Sequence, residues 1–219
     1  MNYELIKVCG MREAENIRAV EALGIRLMGF IFWPKSSRYV AERPAYLPTR
    51  CKRVGVFVDE AIETVKRIAD DYALDYIQLH GSESPDYIRQ LKAVATPRLI
   101  KAFNIATATD LAQTAPYTGL VDYFLFDTKG PSVGGNGQQF DWSVLSAYNG
   151  DTPFLLSGGI GPDDAERLSD FFSAGCGSAA AKCVGIDLNS RFEIAPALKD
   201  VASLRRFLTQ LPHPSHQTH

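Results

Sequence analysis

The sequence predicts an α/β fold in which eight parallel strands close into a barrel with helices around the outside. Short runs typical of β-strands alternate along the chain with segments of helical character. This alternation favours parallel strands, because consecutive parallel strands are joined by crossovers that are usually helical. Eight such units within 219 residues fit a closed (β/α)8 TIM barrel better than an open sheet.

Each predicted element follows from a local run of residues. The strand-like runs cover residues 4–9, 26–32, 53–58, 76–80, 98–103, 122–127, 153–158 and 182–187. Helix-like segments between them cover residues 13–23, 61–71, 84–94, 108–115 and 162–173. The last segment begins with proline and aspartate, which suit the first turn of a helix because its N–H groups have no partners inside the helix.

Two segments interrupt this rhythm. Residues 129–140, KGPSVGGNGQQF, predict a glycine-rich loop after the sixth strand, and residues 173–181, SAGCGSAAA, predict a flexible insertion before the eighth. Signals of a domain linker are absent from the sequence, so residues 1–211 are expected to form a single domain. Residues 212–219, rich in proline and histidine, are expected to be a frayed tail.

The composition suits a globular protein with one sizeable core. Hydrophobic residues make up 46% of the chain and the net charge is −2, which gives no sign of a general affinity for nucleic acid or membranes. Residues 1–8 lack the apolar run of a signal peptide, and no stretch reaches the length of a membrane span. Cys9, Cys51, Cys176 and Cys183 fit no zinc-binding spacing, which favours free thiols in the cytoplasm.

Catalytic residues of barrel enzymes lie at the carboxyl ends of the strands, where the loops form the mouth. The predicted strands end in Cys9, Phe32, Val58, His80, Phe103, Asp127, Gly158 and Asp187. Four of these eight side chains are reactive or polar, which is more than strand ends chosen at random would supply. The sequence therefore indicates an active site at this end of the barrel.

The residues alone leave the role of each group open. Cys9 is either a small buried core residue or a thiolate base. Lys7 points to the same face of the strand, where its ammonium would favour the thiolate or pair with a carboxylate of the barrel. Asp127 ends an apolar strand, so it is either a cap or a carboxyl that stays protonated and acts as an acid. His80 would donate a hydrogen bond to a ligand or satisfy a contact in the core, and the second is slightly favoured.

Two loops and one arginine are candidates for binding anionic groups. Gly158 and Gly159 follow the seventh strand and Asn189 and Ser190 follow the eighth. In barrels these two loops often hold a phosphate on backbone N–H groups, and paired glycines let the chain approach it closely. Arg38, after the second strand, is either a solvated charge or a ligand for a carboxylate.

Taken in order, these motifs resemble those of the phosphoribosylanthranilate isomerase family. The matching segments are residues 7–11, 29–32, 37–40, 54–58, 77–81 with Glu83, Asp127, 134–137, 140–142, 156–159 and 185–187. Their order and spacing agree from residue 5 to about residue 205, which makes the resemblance specific although each motif alone is weak.

The resemblance implies a barrel enzyme of tryptophan biosynthesis that converts an aminoaldose to an aminoketose by an Amadori rearrangement, without metal or cofactor. It implies Cys9 as the general base, Asp127 as the general acid and Arg38 as the ligand of the anthranilate carboxylate. The phosphate would be bound by Gly158, Gly159, Asn189 and Ser190, and His80 and Asp187 would line the site. The partner would be the phosphorylated substrate, with no nucleic acid or membrane, and the enzyme a monomer or homodimer.

This chemistry needs a thiolate and a neutral carboxyl group at neutral pH. Free cysteine and aspartic acid have pKa values of about 8.5 and about 3.9, so their usual protonation states are the reverse. We expect the site to lower the pKa of Cys9 and to raise that of Asp127, or to work with a minor population of each form.

Some positions depart from the family pattern, and two other functions stay open. Arg191 stands where the family has glycine, so it either alters the phosphate loop or adds a charge there; Ala197 also replaces a usual glycine. One alternative is the related aminoaldose isomerase of histidine biosynthesis, which carries acids on strands one and five, where this chain has Cys9 and Phe103. The other is a phosphosugar-binding barrel without catalysis, against which Cys9 and Asp127 argue.

Overall fold

The computed structural model describes residues 5–128, 141–175 and 177–211, so the predicted loop 129–140 and tail 212–219 lie outside the described residues. Eight strands form the predicted barrel. They are β1 (Leu5–Val8), β2 (Leu27–Ile31), β3 (Lys52–Phe57), β4 (Tyr76–Leu79), β5 (Arg98–Ile105), β6 (Tyr123–Thr128), β7 (Phe154–Ser157) and β8 (Cys183–Leu188).

Each strand pairs in parallel with the next, and β8 pairs with β1, so the sheet closes on itself. The predicted (β/α)8 barrel is therefore confirmed. At the seam between first and last strands, Lys7 lies opposite Asp187. Because parallel strands end at the same side of the sheet, all eight carboxyl ends open toward one mouth.

Helices and turns surround the strands. The α-helices are α1 (Ala14–Glu21), α2 (Ile62–Tyr72), α3 (Pro85–Val94), α4 (Ala165–Asp170), α5 (Gly177–Lys182) and α6 (Val201–Gln210). Three 3-10 segments cover Ala108–Tyr117, Trp142–Ala147 and Ser190–Phe192, and a hairpin is formed by β9 (Glu193–Ala195) and β10 (Leu198–Lys199). At the start of α3 a local cap is present: the Ser84 hydroxyl accepts from the N–H of Tyr87 at 3.2 Å, ahead of Pro85.

The expected flexible insertion at residues 173–181 is wrong, because this stretch is largely helical. Phe171–Gly175 forms a π-helical segment and α5 then leads directly into β8. Alanine has the highest helix propensity, and Ala179 is fully buried, so a run of small residues packs here as a helix.

The connection from β2 to β3 also departs from the expected alternation, because no helix follows β2. Between these strands the described chain forms turns and a single bridge that joins Ile31 to Tyr39. Pro34, Pro44 and Pro48 oppose a helix here, since proline lacks an N–H and clashes with the preceding turn. The extended loop brings Arg38 to the mouth of the barrel.

The apolar core has two layers. Between the barrel and its helices lies a large cluster that includes Ile17, Phe57, Phe124 and Phe207. Inside the barrel a smaller cluster consists of Leu27, Val54, Tyr76, Ile100, Ala102, Leu125 and Leu155. The interior above this layer is polar, and it forms the floor of the mouth. None of the described helices combines the length and apolar character that crossing a membrane requires.

Candidate active site

The carboxyl ends of the strands surround a cavity of about 470 Å³. Eight of the nine predicted site residues line it, namely Cys9, His80, Asp127, Gly158, Gly159, Asp187, Asn189 and Ser190. Gln78 and Arg191 also line it, and the ninth predicted residue, Arg38, lies beside it. Among the described residues, no three histidine, cysteine or acidic side chains are grouped so that they could hold a metal ion.

Cys9 follows β1 directly and is buried. Its backbone N–H donates to the carbonyl of Leu188 at 2.9 Å, which fixes the residue against the end of β8. Space for the thiol depends on the neighbouring strand, because a Cβ atom at Gly29 would come within 2.6 Å of the Cys9 Sγ atom. The glycine of β2 therefore makes room for the cysteine.

Lys7 pairs with Asp187, and the two side chains are 3.0 Å apart and buried at the seam of the barrel. Burial lowers the pKa of Lys7, but the charges of Asp187 and Cys9 outweigh it and keep the pKa raised. Both roles open for Lys7 are supported, because it pairs with a barrel carboxylate and its ammonium also acts to lower the pKa of Cys9. The ammonium also lies close enough to act on the thiol of Cys9.

The expected lowering of the Cys9 pKa is wrong. Burial raises the pKa of the thiol, and Lys7 opposes this without cancelling it, while Asp187 adds to the rise. The reason is physical: removing a thiolate from water costs more here than the nearby ammonium returns. At neutral pH the thiol is the dominant form and the thiolate a minor population.

His80 and Asp127 lie side by side at the wall of the cavity. The Nε2 atom of His80 is 3.6 Å from Oδ2 of Asp127, and Gln78 Nε2 is 3.1 Å from His80 Nδ1. When the Gln78 amide donates to Nδ1, the ring proton is placed on Nε2, on the side of Asp127. Gln78 therefore orients the histidine.

Gln78 was not predicted, although strand alternation supplied a signal. It lies two residues before His80 and so shares its face. The side chain is almost fully buried, and its Oε1 atom has no hydrogen-bond partner in the described part of the chain. Leaving this buried acceptor unpaired is costly, so Gln78 is kept at the cavity for a reason other than stability.

The two predicted phosphate loops lie at one side of the cavity. Gly158 and Gly159 both have positive φ values, 96° and 69°, a conformation that glycine adopts without strain. The 3-10 segment that begins at Ser190 follows β8 and faces them. Arg191 lines the same cavity and lies against Gly161, where a Cβ atom would be 3.2 Å from its Nε atom.

Arg38 lies next to Gly10, the residue after Cys9, where an added Cβ atom would come within 2.6 Å of the Arg38 Cδ atom. Its Nε atom donates to both carboxylate oxygens of Glu193, at 2.8 and 3.0 Å, and Nη2 donates at 2.5 Å. These hydrogen bonds raise the pKa of Arg38. Glu193 and its partner Lys199 were not predicted as site residues, because they lie beyond the last barrel strand.

Comparisons with known proteins identify the family that the chain resembles in sequence and fold. A family model described as N-(5'phosphoribosyl)anthranilate (PRA) isomerase matches residues 6–210. The N-(5'-phosphoribosyl)anthranilate isomerase of Phocaeicola vulgatus is 51% identical over 207 residues, covering 94% of this chain and 97% of the relative. The crystal structure of phosphoribosyl anthranilate isomerase from Thermotoga maritima superposes with a TM-score of 0.78 at 30% identity, covering 94% and 97% of the two chains.

A further solved structure contains a ligand. It is a phosphoribosyl anthranilate isomerase in complex with reduced 1-(o-carboxyphenylamino)-1-deoxyribulose 5-phosphate, which superposes with a TM-score of 0.74 at 26% identity and covers 94% of this chain and 97% of its own.

Proposed function

The chain belongs to the N-(5'-phosphoribosyl)anthranilate isomerase family, and we propose that Cys9 and Asp127 carry out the two proton transfers of the family's reaction. The protein is an aldose–ketose isomerase of tryptophan biosynthesis. The observation that supports the two roles is that the thiol of Cys9 and the carboxyl of Asp127 line the same cavity. The two alternative functions gain no support from the family match.

Asp127 acts first, as the general acid. Its carboxyl group delivers a proton to the ring oxygen of the furanose, and the ring opens to an iminium at C1′. The side chain is largely buried and lies beside His80, which Gln78 holds in one orientation. A well-placed acid or base accelerates a reaction by roughly 10²–10⁴-fold.

Cys9 acts second, as the general base. Its thiolate removes the proton from C2′, which the adjacent iminium has made acidic, and the resulting enolamine tautomerises to the aminoketose. Lys7 and Lys199 both favour the thiolate electrostatically, although burial keeps the thiol dominant. The base therefore works from a minor population of thiolate. This is the second of the two possibilities that the sequence analysis left open.

Two anionic ends of the substrate are anchored on either side of these groups. Gly158, Gly159, Asn189 and Ser190 bind the phosphate through backbone N–H groups, and Arg191 adds a positive charge to the same wall. His80 and Asp187 line the space between the two ends. Fixing both ends holds C1′ and C2′ between the acid and the base.

Arg38 binds the anthranilate carboxylate. Glu193 occupies the Nε side of the guanidinium and leaves the Nη1 group without a partner among the described residues. A planar guanidinium can serve one carboxylate on each of two edges, so Glu193 orients Arg38 and the substrate takes the remaining edge.

We also propose that the enzyme acts in the cytoplasm, as a monomer or homodimer, on its small phosphorylated substrate and without a nucleic-acid partner. The composition supports the absence of a nucleic-acid partner, because the net charge of −2 provides no general attraction for polyanions.

The substitution Cys9→Ala tests the assignment of the base. We expect turnover of phosphoribosylanthranilate, followed by fluorescence, to fall by roughly 10²–10⁴-fold while affinity for the reduced product analogue is kept. Cys51→Ala is the matched control, because this half-buried cysteine lies at the opposite end of the barrel beside Lys52. Near wild-type turnover in Cys9→Ala would show that the base lies elsewhere.

A further inference from the structure

Lys199 is a buried ammonium that lies between the two groups of residues to which we assign the two ends of the substrate. It ends β10 and is 1% exposed. Its Nζ atom donates to Oε1 of Glu193 at 2.6 Å and to Oδ1 of Asn189 at 2.8 Å. One of these partners orients Arg38 and the other belongs to the phosphate loop.

The contact with Glu193 decides the charge that Arg38 presents. Burial raises the pKa of Glu193, but hydrogen bonds from Arg38 and Lys199 outweigh this and hold the pKa below its usual range, so the group is a carboxylate. Without Lys199 the Glu193 carboxylate would neutralise Arg38. With Lys199 the three groups together keep one positive charge, which a second carboxylate can meet.

The contact with Asn189 connects the same ammonium to the other end of the site. Lys199 holds the amide oxygen, so the amide N–H₂ group is turned away from it. At Gly10, whose φ is 76°, an added Cβ atom would come within 2.6 Å of Arg38 Cδ and 2.9 Å of Asn189 Oδ1. The side chains of Arg38 and Asn189 therefore both lie against Gly10.

The backbone of β10 is anchored independently of the lysine side chain. The Asn16 amide of α1 donates to the carbonyl of Lys199 at 2.9 Å and accepts from its N–H at 2.8 Å. Burial lowers the pKa of Lys199, and the Glu193 carboxylate opposes this without cancelling it, so the pKa stays below its usual value. The fold therefore keeps a desolvated ammonium at a place where the backbone hydrogen bonds alone would fix the hairpin.

We propose that Lys199 is a positioning residue that couples the carboxylate clamp at Arg38 to the phosphate loop at Asn189, so that both ends of the substrate bind in register. The inference rests on the proposed binding roles of Arg38 and Asn189. It adds that the buried charge of Lys199, which touches none of the reacting atoms, sets the positions of both Arg38 and Asn189.

Two substitutions separate the effect of Lys199 on Arg38 from its effect on Asn189. Lys199→Met keeps the volume and removes the charge, so we expect KM to rise about tenfold. The value of kcat should fall as well, because Lys199 also favours the thiolate of Cys9, so the inhibition constants carry the test. Inhibition by free anthranilate and by inorganic phosphate should both weaken by a similar factor. Glu193→Gln keeps an amide oxygen that can accept from Lys199, but its N–H₂ group cannot accept a hydrogen bond from Arg38. It should therefore weaken inhibition by anthranilate through the loss of Arg38 orientation, and change inhibition by phosphate much less.

Lys101→Met is the matched control. Lys101 is equally buried, at 2% exposure, and pairs with the buried Glu83 at 3.2 Å. Its substitution should lower the melting temperature as much as Lys199→Met does, but leave both inhibition constants unchanged. If Lys199→Met also lowers only the melting temperature, its role is structural and the proposal is overturned. If Lys199→Met does not fold, unchanged anthranilate inhibition in Glu193→Gln overturns the proposal instead.

Arg38→Ala separates this inference from the function on which it rests. If Arg38→Ala weakens anthranilate inhibition and Lys199→Met does not, the coupling fails while the assignment of Arg38 stands. If Arg38→Ala leaves anthranilate inhibition unchanged, the carboxylate assignment fails and the coupling falls with it.

Discussion

Burial of Cys9 sets the pH range in which the enzyme works. The pKa of the thiol is raised, chiefly by desolvation, and a general base must be deprotonated to act. Activity is therefore lost as the pH falls below the raised pKa and gained as it rises toward it. We expect kcat/KM to climb from neutral into alkaline pH. A profile that is flat across this range would contradict Cys9 as the base or the rise in its pKa.

A substitution of Lys7 should raise the pKa of Cys9 further. Removing the ammonium with Lys7→Met takes away a group that lowers the pKa of Cys9 and leaves Asp187, which raises it. Both effects have the same sign, so the alkylation rate of Cys9 by iodoacetamide should shift to higher pH. Cys9→Ala supplies the background rate of the other cysteines. A shift to lower pH would mean that Lys7 does not act on the thiol.

Asp127→Asn should be more damaging than its nearly identical shape suggests. The amide fills the same volume but cannot protonate the ring oxygen, so kcat should fall by roughly 10²–10⁴-fold. Some turnover should remain, because the substrate also opens slowly in water. Affinity for the reduced product analogue and the melting temperature should match wild type. Much weaker binding of the analogue would make Asp127 a binding residue instead of the acid.

Substitution of Gln78 should lower the activity of the enzyme without lowering its stability. Its buried Oε1 atom has no partner in the part of the chain described, and an unsatisfied acceptor costs about 1–3 kcal/mol. Gln78→Met removes that cost with similar volume, so the free energy of urea unfolding should stay equal or rise. Turnover should fall, because His80 loses its orienting donor. A less stable variant with full turnover would make Gln78 a structural residue.

For single residues, the sequence predicted which side chains line the cavity but not the direction of the pKa shift of Cys9. Position at a strand end was enough to place Cys9, His80 and Asp127 around one cavity. The pKa of Cys9 depends on desolvation by atoms from β2 and on Asp187, far along the chain. Such environments form only on folding, so the direction of the shift did not follow from neighbours in sequence.

Among the elements, strands were the most predictable. Each predicted strand lies within two residues of the observed one, because buried parallel strands are short apolar runs bounded by polar residues. The hairpin β9–β10 was missed, since its turn uses Ala197 at a φ of 66° where glycine would have marked it. Helix α5 was missed because a run of small residues carries no apolar periodicity, and the predicted helix 162–173 covers only the first three residues of the π-helical segment.

Helix α2 ends in a strained residue that offers a test of stability. Ala73 has a φ of 46° at the position after the helix, and the N–H of Leu74 returns to the carbonyl of Ala69 at 2.9 Å. A left-handed conformation costs an L-residue about 1–2 kcal/mol, whereas glycine adopts it freely.

Ala73→Gly should therefore raise the free energy of unfolding by about 0.5–1 kcal/mol, after the added entropy of the unfolded chain is subtracted. Ala95→Gly is the matched control, because Ala95 ends α3 with a φ of −118° and carries no such strain. It should lower the free energy of unfolding by a similar amount. Urea unfolding of both variants measures the difference, and equal effects would mean that Ala73 is not strained.

For the whole molecule, the sequence predicted the closure of the barrel but not what lies at its seam. Eight strand-and-helix units indicated a closed sheet, and the sheet is closed. The pairing of Lys7 with Asp187 spans 180 residues, and no local pattern announces it. The β2–β3 loop departs from the predicted alternation without disturbing the barrel. This unit has no helix, yet it fits the barrel and brings Arg38 to the mouth.

The pairing of β1 with β8 at the seam of the barrel affects folding during synthesis on the ribosome. β1 is synthesised first, yet its partner β8 and the carboxylate that neutralises Lys7 emerge 180 residues later. Until then the nascent chain has an unpaired strand edge and an unmatched ammonium, both of which burial would penalise. Translation must pass residue 188 before the thiol pocket can close, so any chain truncated earlier is an inactive target for chaperones and proteases.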